Sequence, residues 1–263
     1  MLLNAVHKVY NYDFSSYSQA HIRRRVDHFL KSRKLKNISE VQGLVLHNKA
    51  AFEELLNEFS IRVTEMFRDP GFFWSLRENV IPVLKTYPFP KIWIAGCATG
   101  EEVYSIAILL KEEGLYDRVQ IFATDYNAQA VDAAKKGIYS INRIKEYTVN
   151  YQKSGGKSTF SDYYTAFNDF VELDKSLKKN IEFRLHNLDK DGVFASVNLL
   201  ICRNVMIYFN KDLQNKVVGL FTNSLVTGGF LALGMKESLL FSKDKDSYEV
   251  IDDKHKIFKK RIK

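Results

Sequence analysis

Residues 92–110, IWIAGCATGEEVYSIAILL, admit few folds. Ile92, Trp93, Ile94 and Ala95 form an apolar run that reads as a buried strand. Gly96 and Gly100 bracket a tight turn, and Glu101 and Glu102 open a helix carried on Ile106, Ile108, Leu109 and Leu110. Strand, glycine turn and helix bring bare backbone and a helix N-terminus up to a nucleoside in an α/β sheet. A second apolar strand, IFATD, ends in Asp125. An acid at the end of that strand can accept hydrogen bonds from both ribose hydroxyls. A dinucleotide site calls for G-x-G-x-x-G, whose glycines make room for a pyrophosphate. Here the spacing is G-x-x-x-G, and the turn carries two carboxylates. Anions sit badly beside a pyrophosphate and well beside a cation. S-adenosylmethionine, with a ribose, a sulfonium, an ammonium and no phosphate, fits that turn.

The remaining sequence sets this unit in a larger frame. The 263 residues suffice for one large domain, or for a large and a small one. Residues 1–75 read as a helical domain. In SQAHIRRRVDHFLKSRK, Ile22, Val26, Phe29 and Leu30 form an inward stripe, and Arg23, Arg24, Arg25, Lys31, Arg33 and Lys34 lie on the other faces. A second amphipathic helix, KAAFEELLNEFSI, turns Phe52, Leu55, Leu56 and Phe59 inward. Residues 76–90 read as a linker helix closed by Pro88 and Pro90. From 91 to 263, strands and helices alternate as in a parallel sheet, interrupted by a small β insertion around 147–180 and closed by a hairpin in YEVIDDKHKIFKKR.

Two cysteines, Cys97 and Cys202, give no disulfide framework and imply a reducing, cytoplasmic setting. Both read as small buried hydrophobes rather than nucleophiles. The six histidines show no metal-ligand spacing, so no metal is expected. No apolar run is long enough to span a membrane. The formal charge of +8 points to an acidic partner, either nucleic acid or an acidic protein surface.

At the carboxyl ends of the expected strands lie Gly96–Glu102, Asp125, Asn187 with Leu188, and Cys202-Arg203-Asn204, with Thr64 and Arg68 just ahead of the sheet. Together with GIY, NL and ICRNVMIYF, these residues resemble the CheR-type chemotaxis receptor methyltransferases, over nearly the whole chain from HIRRR to the last hairpin. The resemblance implies a class I, Rossmann-like methyltransferase sheet preceded by an all-α domain. It implies transfer of a methyl group from S-adenosylmethionine to glutamate side chains of chemoreceptors, leaving S-adenosylhomocysteine. By the same resemblance Arg62, Thr64, Arg68, Gly96, Gly100 and Glu102 bind the cofactor, Thr64 and Arg68 at its methionine end. Asp125 takes the ribose, and Asn187, Leu188, Cys202 and Arg203 lie near the adenine. Arg68 and Tyr208 face the reaction centre, and the helix carrying Arg23, Arg24 and Arg25 meets the cytoplasmic helical domain of the receptor. A monomer without membrane insertion is expected. Departures from the family pattern are Arg62 for Asn, Val103 for Pro, and GMKES for G-H-S-E-N.

A glutamate side chain, with a pKa near ~4.3, is already a nucleophile at neutral pH, so the reaction needs no general base. The basic charge also suits a nucleic-acid methyltransferase. That reading lacks its motifs: Arg203-Asn204-Val205-Met206 stands where amine methylases place [DN]-P-P-[YFW], and neither cysteine follows a proline. A third reading is a module of the same fold that holds cofactor or partner without turnover.

Overall fold

The computed structural model describes residues 2–59 and 64–262. Its contacts divide the chain into two units, Met1–Val63 with Ile207–Gln214, and Thr64–Met206 with Asn215–Lys263. The segment 64–90 therefore packs with the sheet, where the sequence suggested a helical domain to 75 and then a linker. The reason is its apolar side: Met66, Phe67, Phe72, Phe73, Leu76, Val80, Ile81 and Leu84 are buried in one core with Ile92 and Ile94.

The smaller unit holds α1 (Leu2–Tyr10), α2 (Gln19–Ser32), α3 (Ile38–His47) and α4 (Lys49–Phe59). Ile22, Val26 and Phe29 of α2 are buried with Phe52, Leu55, Leu56 and Phe59 of α4, as their spacing indicated. Leu30 is half-buried. Arg23 and Arg24 are exposed, whereas Arg25 is half-buried, with its Nε fully covered. The basic run is thus two exposed arginines and one that leans into the fold.

The larger unit opens with α5 (Pro70–Ser75), a π-helical turn Leu76–Val80, and α6 (Ile81–Leu84). Then come β1 (Lys91–Ala95), α7 (Glu101–Glu112), β2 (Gln120–Asp125), α8 (Ala128–Lys136) and β3 (Ile138–Ser140). These are followed by α9 (Ile144–Lys153), β4 (Tyr164–Phe167), β5 (Phe170–Leu173), β6 (Ile181–Leu185) and β7 (Val197–Cys202). After α10 (Lys211–Ser224), which begins in the smaller unit, β8 (Leu225–Leu233), β9 (Tyr248–Asp252) and β10 (Ile257–Lys260) close the chain.

Seven strands form one sheet in the order β6-β2-β1-β7-β8-β10-β9. The pairs among β6, β2, β1, β7 and β8 are parallel, and β10 pairs antiparallel with β8 and β9. Chain order reverses between β1 and β7, and ligands bind at such a switch point, outside the carboxyl ends of the strands. All six residues of β7 are buried, as a strand covered on both faces requires. The insertion is a three-stranded antiparallel sheet, β3-β5-β4. It starts at Ile138, before the expected 147, and encloses α9.

Candidate functional site

The turn after β1 is built for close approach. Gly96 and Gly100 have φ of +75° and +94°, a region that side chains avoid. A Cβ on Gly96 would lie 2.4 Å from Val205 Cγ2, and one on Gly100 would lie 3.0 Å from Ala134 Cβ. Gly100 is the N-cap of α7, so the positive end of that helix faces the turn. The Thr124 carbonyl accepts from the Gly96 and Cys97 N–H groups at 2.8 and 2.9 Å, which fastens the turn to β2.

Asp125, at the end of β2, is buried and ties this corner together. Its Oδ2 accepts from Ala98 N at 3.0 Å and its Oδ1 from Asn127 N at 2.9 Å. Its carbonyl accepts from His186 N at 3.0 Å, drawing in the segment that carries Asn187 and Leu188. The cap of α8 is Asn127 itself, whose side chain accepts from Gln129 N and Ala130 N. Leu188 is buried, and Asn187 caps its own turn through Asp189 N at 2.9 Å.

Arg203 is the hinge of the other side. It follows β7, its side chain is 1% exposed, and its guanidinium lies 4.0 Å above the Phe72 ring. One Nη donates to Glu102 at 2.5 Å; the other donates to Asp69 at 2.6 Å and to the Arg68 carbonyl at 3.3 Å. The resemblance implied that Arg203 lies near the adenine; in the structure two carboxylates, Glu102 and Asp69, hold its guanidinium. Its Nε is covered and has no hydrogen-bond partner among the described residues. Cys97 and Cys202 are free and buried, and burial pushes both thiols well above their ordinary range, so neither is a ready nucleophile.

The segment Thr64–Asp69 is held in a costly backbone shape. Phe67 and Asp69 have φ of +53° and +56°, unusual for residues with a side chain. Phe67 N donates to Ser105 Oγ at 2.9 Å, Asn150 donates to the Met66 carbonyl at 3.2 Å, and Arg143 donates to the Thr64 carbonyl at 2.8 Å. These bonds fix the loop that presents Thr64 and Arg68. Glu65 stands beside Arg68; burial and then Glu146 raise its carboxyl despite the arginine's opposing charge. Arg62 lies outside the described residues. Tyr208 belongs to the smaller unit, in a 3-10 turn over Met206–Tyr208, whereas Arg68 belongs to the larger one.

Two buried carboxylates have partners that the sequence reading did not give them. Glu101 is 3% exposed and accepts from Thr99 Oγ1 at 2.6 Å; burial raises its carboxyl above the usual range. Glu237 accepts four backbone N–H groups, from Gly234, Asn204, Val205 and Met206, at 2.6 to 3.0 Å. It thus pins the loop between Arg203 and Tyr208. The signal was present: GMKE keeps the glutamate of the G-H-S-E pattern in place, so the departure at 235–236 leaves that clamp intact.

These groups suit S-adenosylmethionine. Gly96 and Gly100 leave backbone bare, Asp125 stands at the carboxyl end of β2, and Glu102 offers an anion whose orientation Arg203 fixes. No His, Cys, Asp and Glu cluster among the described residues could hold a metal, and no described helix is long and apolar enough to cross a membrane.

Comparison with known proteins agrees with this geometry. Residues 62–257 match the family model of the CheR methyltransferase SAM binding domain, and residues 1–60 match that of the CheR methyltransferase all-alpha domain. A Pseudomonas putida protein named as methyltransferase Cher3 is 48% identical over 260 residues, covering 99% of this chain and 95% of that one. Chemotaxis protein methyltransferases of Vibrio anguillarum and Borreliella burgdorferi are 30% and 28% identical over 85% and 92% of this chain, and over 82% and 88% of their own lengths. The chain belongs to the CheR methyltransferase family: an all-α domain followed along the chain by a class I methyltransferase domain that takes S-adenosylmethionine.

Proposed function

We propose that this chain methylates glutamate side chains on the cytoplasmic helical domain of chemoreceptors. The observation that carries this reading is the state of the titratable groups in the larger unit. Glu102 is bound to Arg203, Asp125 and Glu237 hold backbone N–H groups, and both thiols are pushed up by burial. None of these groups is poised to take a proton from a substrate. Groups occupied in this way suit a nucleophile that arrives ionised, and a glutamate carboxylate does so at neutral pH.

Bound S-adenosylmethionine supplies an activated methyl group. That methyl would pass to a carboxylate oxygen with the carbon–sulfur electron pair left on sulfur, so the chain would have no proton to move. The chain's own part is placement. Asp125 holds the glycine turn to β2, and Arg203 fixes Glu102. The strained Phe67–Asp69 backbone presents Arg68, which steadies one oxygen of the incoming carboxylate. Tyr208 takes the substrate side. Holding reactants in line in this way can be worth several kcal/mol of barrier.

The test is incubation with methyl-labelled S-adenosylmethionine and either a receptor cytoplasmic fragment or nucleic acid. Label on the receptor that base releases as volatile methanol marks a carboxyl ester and supports the reading. Base-stable label, or label on nucleic acid instead, sinks it.

A further inference from the structure

The segment Ile207–Gln214 stands apart from its sequence neighbours, because its contacts place it with the N-terminal helices. Tyr17 and Phe209 form an isolated antiparallel bridge, with their rings packed edge to face at 5.2 Å. Ser18 N donates to the Tyr208 carbonyl at 2.8 Å, and Asn210 N donates to the Ser16 carbonyl at 2.9 Å. One turn into α2, the His21 ring lies 4.5 Å from the Tyr208 ring. Ser18 and His21 are three apart and share a helix face, so one turn grips both the main chain and the ring of Tyr208. His21 is buried; its Nε2 lies 3.3 Å from the Phe59 carbonyl, and its Nδ1 has no hydrogen-bond partner among the described residues. A buried ring nitrogen without a partner is costly, and an aliphatic residue would fill the space without that cost.

We propose that His21, with the Ser18 N–H, is a positioning residue for Tyr208, so the first turn of α2 sets a substrate-facing ring as well as presenting a docking face. The proposal rests on the reading of Tyr208 as a substrate-facing residue. Its role is mechanical: the flat imidazole sets the tilt of the phenol ring, and the Ser18 bond sets its main chain.

The test uses the full chain and four variants, with kcat, receptor KM, S-adenosylmethionine affinity and Tm measured for each. His21→Ala is expected to lower kcat ~10- to 100-fold, the scale of small misplacements at a reaction centre, with cofactor affinity unchanged. His21→Phe keeps a ring against Tyr208 and restores most of the loss. Ser18→Pro removes the N–H while suiting the local φ of −57°, and the Ser18 side chain makes no cap bond that could be lost. It should lower kcat as His21→Ala does, even if His21→Ala itself folds poorly. Tyr208→Ala should lower kcat at least as far, and His21→Ala should add little on top of it. If Tyr208→Ala loses kcat while folded His21→Ala and Ser18→Pro keep it, the positioning role is overturned alone. If Tyr208→Ala keeps full kcat, the reading of Tyr208 falls and this proposal falls with it.

Discussion

Asp125 shows how one side chain serves fold and ligand together. Its two oxygens already accept N–H groups from the glycine turn and from the start of α8, and a carboxylate has lone pairs left for ribose hydroxyls. Asp125→Ala is therefore expected to weaken S-adenosylmethionine binding by ~1.5–3 kcal/mol, the range for lost charge-assisted hydrogen bonds, and also to lower Tm. Calorimetric affinity equal to wild type would remove Asp125 from the cofactor site and leave it as a brace. Arg203 admits a sharper substitution. Its planar fork meets Glu102 and Asp69 at once while stacking on Phe72, and a lysine cannot reproduce that fork. Arg203→Met leaves the Glu102 and Asp69 carboxylates without their cation; both keep some solvent, so the loss should fall below the ~3–5 kcal/mol of a fully buried pair. Arg203→Lys should fall between wild type and Arg203→Met in both Tm and cofactor affinity. Lysine behaving as wild type would show that charge alone suffices.

At the scale of elements, much of the larger unit was legible in the residues. The β1, β2 and β7 runs are apolar because both sheet faces are covered, and Gly96, Gly100 and Asn127 mark where backbone must turn or be capped. What stayed hidden depends on partners far along the chain. The Glu237 clamp joins residues more than thirty positions apart, and β3 has three residues that only β5 makes into a strand. The 64–90 segment reads as helix either way, and only its buried side shows which unit owns it. Asp252, at the end of β9, is another such partner. Burial works against its charge, but bonds from Ser75 Oγ at 2.6 Å and from the His255 ring and N–H hold its carboxyl at about 2. A carboxyl depressed in the fold stabilises above its unfolded pKa, and that stability is lost as pH falls towards 2. Asp252→Asn should thus cost about 2 kcal/mol near pH 7 by that shift, and little near pH 2. A cost that is flat with pH in denaturant titrations would mean the bonds do not depend on the charge.

At the scale of the molecule, the net charge of +8 is unevenly committed. Just past α2, Arg33 already meets Glu54 of α4, and on α2 itself Arg25 is half-covered. Arg23, Arg24 and Lys31 are exposed and join no ion pair among the described residues. The apolar side of α2, Ile22, Val26 and Phe29, is spent on the core, so what the helix offers outward is charge. An acidic helical partner would be met through that charge, and exposed charges are screened over ~8 Å at physiological ionic strength. Added salt should therefore raise the receptor KM while barely changing cofactor affinity, since the glycine turn, Asp125 and Arg203 belong to the larger unit. Reversing Arg23 and Arg24 to Glu should raise KM in the same way at fixed low salt and remove most of the salt dependence, with kcat at saturating receptor retained. Arg25 is left alone because its covered Nε would confuse docking with folding. If the double reversal methylates receptor with wild-type KM at low salt, the arginines are only a solvated helix face. The acidic partner would then have to meet cations of the larger unit.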